Sequence, residues 1–220
     1  MIAFTRNSAA VIALLFAVLL IPAVYADEGP LDRTIAKIRS AYGELLDLKA
    51  DFEMKNTVKS MGRTEESTGV VYFRAPNQMR WDYCKPEGKK IVSDGHTLWM
   101  YIPEERRVYM QKVAQTYSAR TPFEFLFSGA DLKKDFRLAL EKDAEAEQVV
   151  RLEPKTSSAG FQSLRIMVNG TTGQIQASEL TDFYGNLTEI RFSNVKTNTN
   201  LKEGLFTFAP MDGVEVVPVP

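Results

Sequence analysis

The chain has 220 residues, and its 27 basic against 28 acidic side chains lack the basic excess that a nucleic-acid binder carries. Its single cysteine, Cys84, has no partner for an internal disulfide, and one histidine completes no zinc site, so neither metal nor cofactor is expected.

In chain order, the first element is a leader. One positive charge at Arg6 is followed by residues 9–21 without any charged or polar side chain, the n-region and h-region of a secretory signal. Val24-Tyr25-Ala26 closes it with the small residue a signal peptidase takes, and Pro22 speaks against a membrane anchor. Residues 1–26 are therefore read as a cleaved signal peptide and 27–220 as one soluble domain in the periplasm or outside the cell. No cysteine stands directly after the apolar run, so the chain is not expected to be lipidated itself.

Leu31, Ile35, Ile38, Tyr42, Leu45 and Leu46 recur at spacings of mostly three and four, which predicts a helix over 31–48. The period then changes to two. Phe52, Met54, Asn56 and Val58 alternate with charged or polar neighbours, the pattern of a strand with one wet face. Further strands are predicted at 64–74, 78–83, 90–93, 97–102, 107–112, 135–140, 148–153, 163–168, 174–181, 187–195 and 205–208, separated by turn sequences such as Asp94-Gly95, Asn169-Gly170 and Gly185-Asn186. Thr121-Pro122 opens a short second helix ending before Gly129, and residues 142–148 read as a solvated connection. The sum is a mainly β domain (α+β) whose strand count obliges the sheet to curl or split.

Catalytic motifs are missing. There is no phosphate-cradling glycine loop, nucleophile elbow or zinc helix. His96 follows Ser93-Asp94-Gly95, but three groups crowded into one turn cannot relay a proton to an aimed nucleophile. An enzyme is not expected. What the chain does carry is apolar bulk, with 13 Phe, 8 Met, 8 Tyr and 2 Trp, much of it between Phe52 and Phe127. A normal β core uses such residues; a lipid cavity under a lid uses them equally.

Phe73-Arg74-Ala75-Pro76-Asn77-Gln78-Met79-Arg80-Trp81-Asp82-Tyr83, followed by Ser93-Asp94-Gly95-His96-Thr97-Leu98-Trp99-Met100-Tyr101, resembles the periplasmic outer-membrane lipoprotein carrier family, LolA. So do Ala50-Asp51-Phe52, Thr121-Pro122-Phe123 and the ending from Leu205 to Val216. The resemblance implies an incomplete antiparallel β-barrel of about eleven strands, with helices over the open mouth and an apolar cavity between. It implies a chaperone that takes acylated lipoproteins from an inner-membrane ABC transporter, shields their acyl chains and passes them to an outer-membrane receptor. A sensor or interaction module on the same fold is the alternative. On this reading Phe52, Met54, Met79, Trp81, Trp99 and Tyr101 belong to the cavity, and Phe123, Phe125, Leu126 and Phe127 to the lid. The family's better-known members place an arginine directly before the proline to latch the lid. Here that position is Ala75, which leaves Arg74 or Arg80 as latch candidates, and a shift of one residue turns a strand side chain to the other face.

Overall fold

The computed structural model describes residues 29–113, 132–156, 160–209 and 212–219. The leader, the predicted helix after Thr121 and its four apolar lid residues lie outside them.

Helix α1 spans Pro30–Tyr42. Pro30 at its start lacks the N–H that would be orphaned there, while Asp32 in the first turn and Arg39 in the last oppose the helix dipole. The helix is shorter than predicted because Gly43 closes it. The last two residues of the predicted face part ways: Leu45 enters the core from the connecting turn, whereas Leu46 is 69% exposed, and Leu48 joins the core from the first strand.

Twelve strands follow: β1 Asp47–Val58, β2 Arg63–Arg74, β3 Gln78–Lys85, β4 Lys90–Ser93, β5 Thr97–Ile102, β6 Arg107–Lys112, β7 Phe136–Asp143, β8 Gln148–Pro154, β9 Ser163–Val168, β10 Ile175–Thr181, β11 Leu187–Thr197 and β12 Glu215–Pro218. A one-turn helix, α2 Leu132–Asp135, leads into β7. They form one sheet ordered β12-β6-β5-β4-β3-β2-β1-β11-β10-β9-β8-β7, antiparallel except where β12 runs parallel to β6. Among the described residues β7 and β12 are the two edges of this sheet, and they do not pair with each other, so the curled sheet stays open.

Two strand expectations are corrected. Residues 205–208 do not pair; Glu203–Phe206 form a 3-10 turn that buries Phe206 completely. Conversely, β12 was missed, since four residues ending in proline carry too little pattern to announce a strand. One strand lost and one gained leave twelve among the described residues, against the about eleven that the family resemblance implied.

The core lies on one face of the sheet, here called inner, against Ile35, Ile38 and Tyr42 of α1. The Tyr42 hydroxyl accepts a hydrogen bond from the Ile175 N–H at 2.8 Å, and Lys37 Nζ donates to the Gly170 carbonyl. Asp32 pairs with Lys133 at 2.6 Å. These contacts fasten α1 along its length. Burial pushes the Tyr42 phenol up to about 12, against the lowering effect of the Ile175 N–H, so it stays neutral.

Gly69 on β2 shows how tightly the inner face is filled. A Cβ there would lie 2.1 Å from the Asp82 carbonyl oxygen and 2.8 Å from the Phe52 ring. Gly69→Ala is therefore expected to destabilise the fold by about 1–3 kcal/mol, through overpacking against backbone that cannot yield. Urea unfolding of the variant beside the parent checks this.

Candidate functional site

The cross-strand register decides which side chains share the inner face. Trp81 is opposite Val71 and Ile91, Met79 is opposite Phe73 and Ser93, and Phe52 is opposite Gly69 and Phe192. On the other half of the sheet Met54 continues through Ile190, Ser178, Ile166 and Val150 to Leu140. Leu180 continues through Leu164 and Leu152 to Leu138. Directly opposite residues point the same way, so these rows make one continuous apolar lining.

At its centre Phe52 meets Trp81 and Tyr83 edge-on, with ring centroids 4.7 and 5.1 Å apart, and Phe73 meets Trp81 at 6.1 Å. Burial pushes the Tyr83 phenol up to about 12, which keeps the lining uncharged. Phe52, Met79 and Trp81 are nearly inaccessible, whereas Met54, Ile91, Leu98, Leu138, Leu140 and Leu180 pack on the core while remaining partly exposed. The floor of the site is thus closed packing. The part of the lining still open to solvent is the partly exposed set, of which the sequence reading had named only Met54. The others were invisible because each sits in a short strand where alternation does not say which face turns inward.

Trp99 and Tyr101 are corrected: their expected place in the cavity fails. Trp99 is opposite Val92, which is opposite Arg80, and Tyr101 is opposite Lys90, which is opposite Asp82. That parity is the outer face. There both aromatics lie against Phe208, with centroids 6.4 Å apart in each case, beside the fully buried Val92 and Val108. The chain from Leu201 to Ala209 therefore covers a second, smaller apolar layer behind the first.

The latch candidates also belong to the outer face. Arg80 Nε donates to both Asp82 carboxylate oxygens, at 2.9 and 2.8 Å, and its Nη1 donates to the Leu205 carbonyl at 3.0 Å. Arg74 donates to Gln78 Oε1 at 3.3 Å and reaches Glu203 at 4.0 Å. Among the described residues, both arginines hold the C-terminal segment rather than anything over the inner face.

Asp47, at the first position of β1, is the other anchor of that segment and was missed from sequence. Its carboxylate accepts the Thr199 N–H at 2.7 Å, the Thr199 hydroxyl at 2.9 Å and the Leu201 N–H at 3.1 Å. Asn198 accepts the Leu46 N–H through its side chain at 2.8 Å.

The remaining outer face is polar: Arg165 bridges Glu141 and Glu179, and Arg151 bridges Glu141 and Glu153. Elsewhere, Asp94 accepts the His96 and Thr97 backbone N–H groups at 2.8 Å each, so this carboxylate shapes a turn. Among the described residues no group of acidic, histidine or cysteine side chains is placed to hold a metal, and no helix is long and apolar enough to cross a membrane.

Residues 44–209 match the family of the outer membrane lipoprotein carrier protein LolA. The outer-membrane lipoprotein carrier protein of Dechloromonas aromatica is 32% identical over 170 residues, 77% of this chain and 80% of that one. The carrier protein of that name in Bordetella avium is 30% identical over 202 residues, 90% of this chain and 91% of that one. Among solved structures, an uncharacterized conserved protein from Thermus thermophilus superposes with a TM-score of 0.55 at 15% identity, covering 84% of this chain and 97% of that one, a likeness of fold alone. With sequence, family match and an open curled sheet in agreement, the chain belongs to the outer-membrane lipoprotein carrier (LolA) family.

Proposed function

We propose that the protein is a periplasmic chaperone, made with a cleaved leader, that carries acylated lipoproteins from the inner to the outer membrane as a monomer. It receives them from an inner-membrane ABC transporter and gives them to an outer-membrane receptor, with no catalytic step of its own. The observation that carries this reading is the row of partly exposed apolar side chains on the inner face, Met54, Ile91, Leu98, Leu138, Leu140 and Leu180, on an otherwise well-packed floor. Such a surface receives alkyl chains of no fixed shape. Methylene burial contributes about 0.8 kcal/mol each, so an acyl chain of about sixteen carbons brings on the order of 10 kcal/mol. Release then requires incomplete burial, and a sheet left open at β7 and β12 suits that need.

The test is titration with a triacylated lipopeptide beside the same peptide without acyl chains, followed by tryptophan fluorescence and native mass spectrometry. Saturable one-to-one binding of the acylated form alone is expected. The emission change should come from Trp81 on the inner face and survive Trp99→Phe. Failure of the folded protein to bind the acylated form would defeat the carrier reading.

A further inference from the structure

The long hairpin β1–β2 and the hairpin β10–β11 leave the core side by side, and their turns adjoin. The Lys59 N–H donates to Asn186 Oδ1 at 3.0 Å, and the Gly185 backbone lies so close to the Lys59 side chain that a Cβ would meet it at 2.9 Å. Beyond Met54 the β1–β2 hairpin has no buried residue until Gly69, so its stem is a solvated arm. The tips are not. Six large apolar side chains are exposed among the described residues, and three sit on these two turns: Met61 at 75%, Phe183 at 56% and Tyr184 at 86%.

A polar arm ending in a sulfur chain, a phenyl and a phenol has spent apolar surface where the fold gains nothing from it. We propose that the paired tips dock on a lipid bilayer, with Met61, Phe183 and Tyr184 entering the headgroup region. Three observations favour a bilayer over a protein partner. First, several backbone N–H groups of the tips find partners within the turns. Asp182 accepts the Tyr184 and Asn186 N–H groups at 2.8 and 2.9 Å and the Asn186 amide at 2.7 Å, the Gly185 N–H donates to the Asp182 carbonyl at 3.1 Å, and the Gly62 N–H donates to the Lys59 carbonyl at 3.3 Å. Second, aromatic and sulfur side chains beside a lysine stem are the chemistry of the membrane–water interface. Third, three side chains on convex turns fall far short of the roughly 20–30 residues a side that a stable protein interface uses.

Charge does not drive the contact. Lys55 pairs with Glu66 at 3.1 Å, Arg63 pairs with Glu65 at 3.0 Å, and the opposite charges of Lys59 and Asp182 on the two turns cancel, so these six groups carry no net charge. Docking is therefore expected on zwitterionic and anionic bilayers alike, with little dependence on salt.

The experiment is flotation of the cargo-free protein with phosphatidylcholine vesicles and with phosphatidylethanolamine/phosphatidylglycerol vesicles, at low and high salt. The protein should float with both, and the triple substitution Met61→Ser, Phe183→Ser, Tyr184→Ser should lower the partition by roughly tenfold or more. Since all three side chains are exposed, the triple variant should keep its lipopeptide affinity, which separates this result from the carrier reading. Tyr184→Trp should retain partition and shift its emission to the blue on vesicles. Equal partition of parent and triple variant, failure of the parent to float, or flotation only with anionic lipid at low salt would each overturn the proposal. So would unchanged flotation of a triple variant that had lost a crosslink to an envelope protein, which would make the tips a protein-docking surface.

Discussion

Asp47→Ala is expected to cost about 2–3 kcal/mol and to free the C-terminal segment from the back of the sheet, read as a lower urea midpoint and faster proteolysis around residues 198–209. Asp47 is only 4% exposed, so its carboxylate relies on protein donors rather than on water. Burial would raise its pKa; the hydrogen bonds from the Thr199 and Leu201 backbone, the Thr199 hydroxyl and the Asn200 backbone outweigh this and hold it below the ordinary carboxylate value. Alanine leaves several donors facing a small apolar group. The loss also spreads beyond Asp47, because the segment it anchors buries Phe206 and lays Phe208 against Trp99 and Tyr101.

The same group fixes a pH dependence. A carboxylate with a lowered folded-state pKa contributes stability that is fully present above its unfolded value and is lost as pH falls through the folded one. The unfolded value is about 3.9, so the gap between parent and Asp47→Asn should be complete at pH 7 and shrink steadily below about pH 4. Urea midpoints of both proteins across that range measure it. A gap that stayed constant down to pH 2 would mean that the contacts, and not the charge, hold the segment.

Why Asp47 was hidden in the sequence while Phe52 was plain is a matter of period. Residues 52–55 alternate apolar and charged, and the structure keeps that alternation through Met54. Asp47 falls where an apolar helical spacing runs into a strand, and its partners lie about 150 residues away, 152 to Thr199 and 154 to Leu201, in an asparagine-rich stretch for which the sequence predicts no element. Asn194 near the end of β11 and Asn198 and Asn200 beyond it adopt positive φ of 51°, 54° and 60°, which asparagine tolerates better than most side chains. The face assignment of Trp99 and Tyr101 failed for a related reason. All six residues of β5 are partly buried, since this strand has a core in front and the C-terminal segment behind, so neither parity looks wet. The family resemblance supplied the curled sheet; only the register could say which of its two faces each aromatic occupies.

That distinction sets up the decisive mutational contrast. Met54→Glu combined with Leu180→Glu should weaken binding of a triacylated lipopeptide by about a hundredfold or more, because two carboxylates on the apolar lining must either be desolvated or draw water in beneath the acyl chains. Both residues are partly exposed, so the fold should lose no more than about 1–2 kcal/mol. Trp81→Glu would be a poor substitute: its ring is almost wholly buried among Phe52, Phe73 and Val71, and a loss of binding there would only report unfolding. Trp99→Glu is the informative control. It introduces the same charge into an aromatic site of the same sheet, but on the outer face under Phe208, and should reduce stability while leaving lipopeptide affinity within about twofold of the parent in the folded fraction. If Trp99→Glu abolished binding while Met54→Glu with Leu180→Glu did not, acyl chains would have to lie behind the sheet, beneath the segment that Asp47 and Arg80 hold. The two faces differ in what release requires. Cargo on the inner face has only to slide from an open sheet, whereas cargo on the outer face would first have to break the charge-assisted hydrogen bonds of both anchors.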